Sequence, residues 1–288
     1  MANANQIDVV YAWCGYPATD ICKPSPELEW SILSVRKYMP WIRNIIVTVS
    51  DAFDESMIKS SNINNINIQG PIRWVKESEF VPKKYLPTFN SNVVESWIWK
   101  IKGLSDCFIY MNDDMYIGQP VDVSTFFVQD RVPVLRLDSG PTHHPTLAKL
   151  NEAKVTIPYS RMWGNAVSMY GLDFTRMAHQ VQPQRVSLMA KFYKKYKKEV
   201  DTSSFNKTRA GEGDFNLLRF SSALAVMSGE SVMKVTGPQT KQDFFVESDD
   251  YANISRIPKM RPQFFCINNN GAENKRVFAM LKRYYAKP

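Results

Sequence analysis

Phe108-Ile-Tyr-Met-Asn-Asp-Asp-Met115 is an apolar run that ends in two adjacent carboxylates. With Cys107 ahead of it, the run reads as a buried strand from Cys107 to Met111, of the kind found in parallel sheets covered on both faces. Asn112-Asp-Asp114 then falls at the carboxyl end of that strand, where open α/β sheets bind their ligands. Adjacent carboxylates repel each other, and a divalent cation with oxygen ligands would offset that repulsion. A turn in which Asp113 caps and Asp114 faces water accounts for the pair equally well on its own.

Upstream, the chain alternates short β-branched runs with segments of helical period, the pattern of an α/β sandwich with a mostly parallel sheet. Ile7 to Trp13 is the first strand candidate. Glu27 to Met39 places Leu28, Ile32 and Val35 on one face and stops at Pro40, so it reads as a helix feeding a second strand, Ile45 to Val49. Ile72 to Val75 is a third strand, and a helix from Asn92 to about Ile101 carries Val94, Trp97, Ile98 and Ile101 at core spacing. Residues 1–140 thus form an α/β part. Residues 141–260 read as mainly helical, with helices at Leu172–Ala178, Val186–Lys198 and Asp214–Met227, and residues 261–288 add a strand and a terminal amphipathic helix. All three belong to one expected domain of 288 residues.

An apolar share of 44% and a net charge of +8 fit a globular protein that meets an anion, whether nucleic acid, a lipid surface or a phosphate-bearing substrate. Much of the charge sits in Lys191-Phe-Tyr-Lys-Lys-Tyr-Lys-Lys198, an amphipathic helix with a lysine face. It is either a solvated surface or an anionic contact, and it lacks a nucleic-acid-binding motif. No run reaches the roughly 18 apolar residues of a membrane span, and no leader is evident, so a cytoplasmic location is expected, with contact at the inner membrane face left open. Cys14, Cys22, Cys107 and Cys266 show no metal-ligand spacing and are expected to be reduced.

Three histidines limit the choice of an imidazole base. His143-His-Pro145 reads as a surface turn. His179 is either a helix-end histidine or the base. Arg209 precedes a helix, where a guanidinium and free backbone amides could hold a phosphate, and an ordinary surface arginine is the alternative.

Several stretches together resemble the Stealth family, which includes bacterial capsule phosphotransferases and the lysosomal-enzyme N-acetylglucosamine-1-phosphotransferase. Ile7-Asp-Val-Val-Tyr-Ala-Trp13 is similar to that family's opening motif. Its second region is matched by Glu27-Leu28, Pro40-Trp-Ile-Arg-Asn44, Pro87-Thr-Phe-Asn-Ser91, Glu95-Ser96, Gly103-Leu-Ser105 and Phe108 to Asp114. His179 and Arg209 represent the third region, and Arg261-Pro-Gln-Phe-Phe-Cys-Ile-Asn268 the last. Cys14-Gly15, Glu29, Trp97, Trp99, Asn269, and the spacing of Glu212 and Asp214 depart from the family pattern.

The resemblance implies a nucleotide-sugar-transferase-like fold (Rossmann or GT-A-like) with a helical second half. It implies a nucleotide-sugar donor such as UDP-GlcNAc, a carbohydrate acceptor and a Mg²⁺ or Mn²⁺ ion. It assigns the metal to Asp113, Asp114 and Asn268, catalysis to His179, Arg209 and Asp114, and donor contacts to Asp8, Ser91, Glu95 and Lys100. Exopolysaccharide biosynthesis, in or beside a capsule-synthesis complex, is the implied setting. An ordinary glycosyltransferase and a non-catalytic carbohydrate- or nucleotide-binding module are the competing readings.

Overall fold

The computed structural model describes residues 6–13, 27–54, 72–129, 131–137, 146–156, 158–170, 179–209, 213–237, 239–268 and 275–285. The expectations for Cys14, Gly15, Cys22, His143-His-Pro145, Leu172–Ala178, Glu212 and Asn269 lie outside these residues. The elements begin β1 (Asp8–Ala12), α1 (Glu27–Tyr38), β2 (Ile45–Val49), β3 (Ile72–Lys76), α2 (Ser91–Trp97), β4 (Cys107–Met111) and β5 (Met115–Ile117). Then follow β6 (Phe127–Val128), β7 (Val132–Leu137), α3 (Leu147–Glu152), α4 (Pro158–Tyr170), β8 (Gln182–Arg185), α5 (Val186–Lys195), α6 (Lys197–Ser203) and α7 (Leu217–Met227). The chain closes with β9 (Val232–Val235), β10 (Asp243–Glu247), α8 (Tyr251–Ile254), α9 (Ile257–Met260), β11 (Phe264–Asn268) and α10 (Lys275–Tyr285).

The principal sheet has the order β3-β2-β1-β4-β8, with the first four strands parallel and β8 antiparallel at the edge. All five residues of β2 and of β4 are buried, as expected for strands covered on both faces. One apolar cluster, with Val9, Ile32, Ile45 and Ile109, fills the space under α1 and α10. The other, with Val10, Trp97, Phe108, Met189 and Phe220, lies under α2, α5 and α7. A second sheet, β10-β11-β5, continues the chain just beyond the acidic turn, and a third has the order β6-β7-β9.

The described residues of 141–260 are mainly helical, with the short strands β8, β9 and β10 set among the helices. The long basic helix is divided, because Tyr196 leaves helical geometry (φ −113°, ψ 31°) between α5 and α6. The helix expected from Asn92 begins one residue earlier, after the Asn90 side chain accepts the Asn92 amide and caps it. Among the described residues, no helix is long and apolar enough to cross a membrane.

Candidate active site

Strand register gathers the site. β4 is antiparallel to β8 with Tyr110 opposite Gln182, so continuing the register by three residues brings His179 level with Asp113. β11 is antiparallel to β5 with Cys266 opposite Met115, and two further residues bring Asn268 to the same level. The acidic turn therefore receives an imidazole from one neighbouring strand and an amide from another. Ser91, Asn92, Asn112, Asp114, Met162, His179, Arg209, Arg219 and Asn268 line a cavity of about 200 Å³ at this point.

On one wall, Asp114 is buried and its Oδ2 lies 3.4 Å from His179 Nε2. The imidazole rests edge-on against Phe245, with ring centroids 6.0 Å apart. Asn268 donates its amide NH₂ to Glu247 at 2.8 Å, which leaves its carbonyl oxygen as the atom it can offer. Asp114 Oδ1 and Asn112 Oδ1 are both buried without a hydrogen-bond partner among the described residues. Orphaned buried oxygens are costly, and a cation removes that cost. A carboxylate with neutral amide oxygens is the donor chemistry of a hard divalent cation, so these residues fit Mg²⁺ or Mn²⁺. Cys266 Sγ also falls within 4.8 Å of ligand atoms of Asp114 and His179. Burial, then the Asp114 carboxylate, pushes this thiol well above its usual range, which makes it a poor ligand for such a cation.

Asp113 faces elsewhere. It is half-buried, does not line the cavity, and is coupled to Glu27, the buried first residue of α1. Burial, with Asp114 and Glu27 adding to it, pushes the Asp113 carboxyl up to about 8. The two aspartates thus sit on two sides of one turn, and Glu27 makes the cluster threefold. Sequence reasoning missed Glu27 in this role, because an acidic residue in a helix's first turn is accounted for by the helix dipole alone.

Guanidinium groups supply the opposite wall. Arg209 donates to Ser91 Oγ through Nε at 3.0 Å and Nη2 at 2.7 Å. Arg219, which the sequence did not reveal, is held by Glu95 at 3.2 Å, and Glu95 also accepts from Asn216 at 2.7 Å. Glu95 is buried behind the wall, so its part is to position Arg219 rather than to touch a donor. Asn90 and Asn206 both donate to Asp214 Oδ1, and Asn92 donates to Asp214 Oδ2, which ties the Arg209 loop to the start of α2.

Besides Glu95, two further expected donor contacts are corrected. Asp8 opens β1 opposite Phe108, at the amino end of the sheet and four residues, roughly 13 Å at about 3.3 Å per residue, before the start of the acidic turn. Its carboxylate is spent on Arg43 (2.9 and 2.6 Å), Asn44 (3.0 Å) and the Ser105 amide (2.9 Å). Lys100 is exposed, with its ammonium 4.3 Å from the centre of the Trp99 ring, and does not line the cavity. A second, open cavity of roughly 590 Å³ at the carboxyl ends of β2 and β3 is bordered by Asp51, Phe53, Trp74 and Lys76.

This is a GT-A-like α/β fold with its polar site at the carboxyl ends of parallel strands. Among solved structures, it is similar to the bifunctional glycosyltransferase WbbM, with a TM-score of 0.51 at 11% identity over 98% of this chain and 50% of that one. Residues 22–135 match the family description "Stealth protein CR2, conserved region 2". The chain is 28% identical over 268 residues to the capsular polysaccharide phosphotransferase fcs1 of Haemophilus influenzae, covering 88% of this chain and 68% of that protein. It is 27% identical over 282 residues to the exopolysaccharide phosphotransferase CpsY of Mycobacterium tuberculosis, covering 91% of this chain and 49% of that protein. The chain is thus similar to Stealth proteins over their second conserved region, and to capsule and exopolysaccharide phosphotransferases over most of its length.

Proposed function

We propose that this chain is a metal-dependent sugar-1-phosphate transferase. It moves a hexose-1-phosphate, such as N-acetylglucosamine-1-phosphate, from a UDP-sugar to a carbohydrate hydroxyl. The observation that carries this reading is one cavity with arginines on one wall and the Asp114, Asn112 and Asn268 oxygens beside His179 on the other. An anionic phosphoryl group fits between such walls.

In the proposed reaction, the acceptor oxygen bonds to the phosphorus that carries the sugar. The bond from that phosphorus to the oxygen bridging toward the nucleoside breaks, and UMP leaves with the electron pair. His179 takes the hydroxyl proton, its imidazole oriented by Asp114. Arg209 and Arg219 bind the phosphoryl oxygens, their guanidiniums fixed beforehand by Ser91 and Glu95. Asp114, Asn112 and Asn268 would hold the cation, whose chemistry is to offset the pyrophosphate charge. In this reading the donor's nucleoside is assigned to the cavity at the carboxyl ends of β2 and β3, where Trp74 provides ring surface.

The test is to incubate the protein with a panel of nucleotide sugars, acceptor saccharides and Mg²⁺ or Mn²⁺, and to identify the nucleotide released. UMP supports the reading. UDP would show attack at the sugar carbon and overturn it in favour of ordinary glycosyl transfer. Donor binding without turnover under any of these conditions would favour a binding module.

A further inference from the structure

Cys266 stands at the acidic turn without a part in the proposed reaction. It lies on β11 opposite Met115 of β5, the residue that follows Asp114, so antiparallel register sets it beside that carboxylate. The Ile267 amide donates to the Asp114 carbonyl at 3.1 Å, which fixes the turn against the same strand. Cys266 and Asn268, two residues apart, share one face of β11, and Asn268 lines the cavity. One ligand atom each from Asp114, His179 and Cys266 therefore lie within 4.8 Å of one another, with Asp114 and Cys266 buried.

A thiol offers little to Mg²⁺, which takes oxygen ligands, but nitrogen, sulfur and oxygen together are a donor set for zinc. The spacing agrees. Asp114 Oδ2 and His179 Nε2 are 3.4 Å apart, longer than the about 2.7–2.9 Å of a charge-assisted hydrogen bond. Two bonds of about 2.0 Å at the tetrahedral angle put their ligand atoms roughly 3.3 Å apart, so this pair already forms one edge of a zinc tetrahedron. With a zinc–sulfur bond of about 2.3 Å, the edges to sulfur are roughly 3.6 Å, and Cys266 Sγ has at most about 1.2 Å to close. Asp114 Oδ1, buried and without a hydrogen-bond partner among the described residues, offers a second oxygen on the same carboxylate. Cys107, also free and buried, opens β4 at the far end of that strand and has no such company among the described residues.

We infer that Asp114, His179 and Cys266 form a site for Zn²⁺, its fourth position open to water, and that zinc held there blocks transfer. The zinc–sulfur bond forms as the thiol gives up its proton to solvent, and the imidazole coordinates through Nε2. That nitrogen's lone pair is the one His179 needs to take the acceptor's proton, and Asp114 is the carboxylate shared with the Mg²⁺ or Mn²⁺ site. A zinc-loaded centre therefore lacks both its base and a ligand of the working cation. Nitrogen and sulfur donors favour zinc over magnesium, so zinc competes against a large excess of Mg²⁺. The inhibition rests on the transferase reading above, whereas the site itself rests on geometry.

The experiment titrates Zn²⁺ into the full chain against a chromophoric chelator, with and without excess Mg²⁺. It is repeated with Cys266→Ala and, to control for the loss of a buried thiol, with Cys107→Ala. Co²⁺ then takes the place of Zn²⁺ to report sulfur ligation through its thiolate charge-transfer absorption. Wild type and Cys107→Ala should hold an equivalent of zinc that Cys266→Ala binds about a hundredfold or more weakly, since losing a ligand exceeds the loss of an outer partner. The cobalt absorption should drop by the contribution of one thiolate in Cys266→Ala and stay unchanged in Cys107→Ala. Should Cys266→Ala lose its folded circular dichroism spectrum, Cys266→Ser, which keeps the size but not the sulfur, is read in its place. Equal zinc affinity, or equal cobalt absorption, in wild type and the Cys266 variant overturns the site. In nucleotide release with Mg²⁺, zinc should inhibit wild type and a stronger chelator restore it, while Cys266→Ala, scored against its own zinc-free rate, resists the same zinc concentration. Zinc that binds through Cys266 yet leaves turnover unchanged, or supports it, overturns the inhibitory role. Metal binding is read without turnover, so absence of nucleotide release under every condition counts against the transferase reading and not against the site.

Discussion

Asp8 separates a structural carboxylate from a catalytic one, and the substitution Asp8→Asn tests it while preserving shape. Burial alone would raise this carboxyl, but hydrogen bonds from Arg43 and the Ser105 amide, with the Arg43 charge, outweigh burial and hold it below its ordinary value. Removing one partner of a buried ion pair costs about 3–5 kcal/mol when both ends are buried. The Asp8 side chain is fully buried but that of Arg43 is 37% exposed, so solvent takes up part of the loss and about 2 kcal/mol is expected. At this chain length, that lowers the melting midpoint by roughly 4–8 °C. The pH dependence has a definite sign. A carboxyl with a depressed folded pKa stabilises fully above its unfolded value of 3.8 and loses that contribution as pH falls through the lower folded value. The gap between wild type and variant should therefore be largest near neutrality and close in acid. Urea unfolding at neutral and acid pH measures it, and nucleotide release per folded molecule at neutral pH should change by less than about twofold. Lost turnover with an unchanged melting midpoint would refute the reasoning and return Asp8 to the donor site.

His179→Asn should lower kcat by about 10²–10⁴-fold with little change in donor KM and an unchanged circular dichroism spectrum, and near-normal turnover would remove His179 from the proton path. Glu77 is pushed up to about 7 by burial, with the Asp51 charge adding to it, so wild-type stability should decline as pH rises from 4.5 toward 7 and then level. Glu77→Gln should flatten that profile and gain up to about 3 kcal/mol above pH 7, whereas parallel urea-midpoint profiles for the two proteins would contradict this. At Gly118, a Cβ would lie 2.1 Å from the Pro262 carbonyl oxygen, so Gly118→Ala must move backbone. A loss of about 2 kcal/mol or more in thermal unfolding is expected, and a change below about 0.5 kcal/mol would show that the strand edge yields freely.

The parallel core was legible because its strands are continuous β-branched and apolar runs separated by helices with a clear apolar stripe. β8 was not, since Gln182-Pro-Gln-Arg185 reads as a polar turn. It forms a strand because it occupies the sheet edge, where Pro183 is tolerated, and because Gln182 and Gln184 are satisfied by the Arg136 backbone and Ser222. Ser91, Asp114, His179, Arg209 and Asn268 could be named from motifs and do meet in one cavity. Arg219 could not, because it lies in the apolar helix α7 and its partner Glu95 is 124 residues away in sequence. Asp8 was misplaced for a related reason. A motif shows that a carboxylate belongs to a strand, whereas only the start of the strand shows which end of the sheet it occupies.

The two walls of the cavity come from different parts of the fold, and that division explains the polar network behind them. Carboxyl and amide oxygens arrive on strands locked by register, so their positions follow from the sheets. Arg209 arrives on a loop, and an exposed arginine on a loop would ordinarily sample many rotamers. Here Asn90 fixes its surroundings by donating to the Asn206 and Thr208 carbonyls and to Asp214, while Asn92 holds the other Asp214 oxygen. Asn92 in turn accepts from Asn216, which also donates to the Glu95 that anchors Arg219. Both guanidiniums are thereby referred to the start of α2, and Ser91 in that same turn receives Arg209 directly. The stretch Phe89-Asn-Ser-Asn92 thus acts as the frame on which the positive wall is set against the negative one, with only Ser91 and Asn92 reaching the cavity itself.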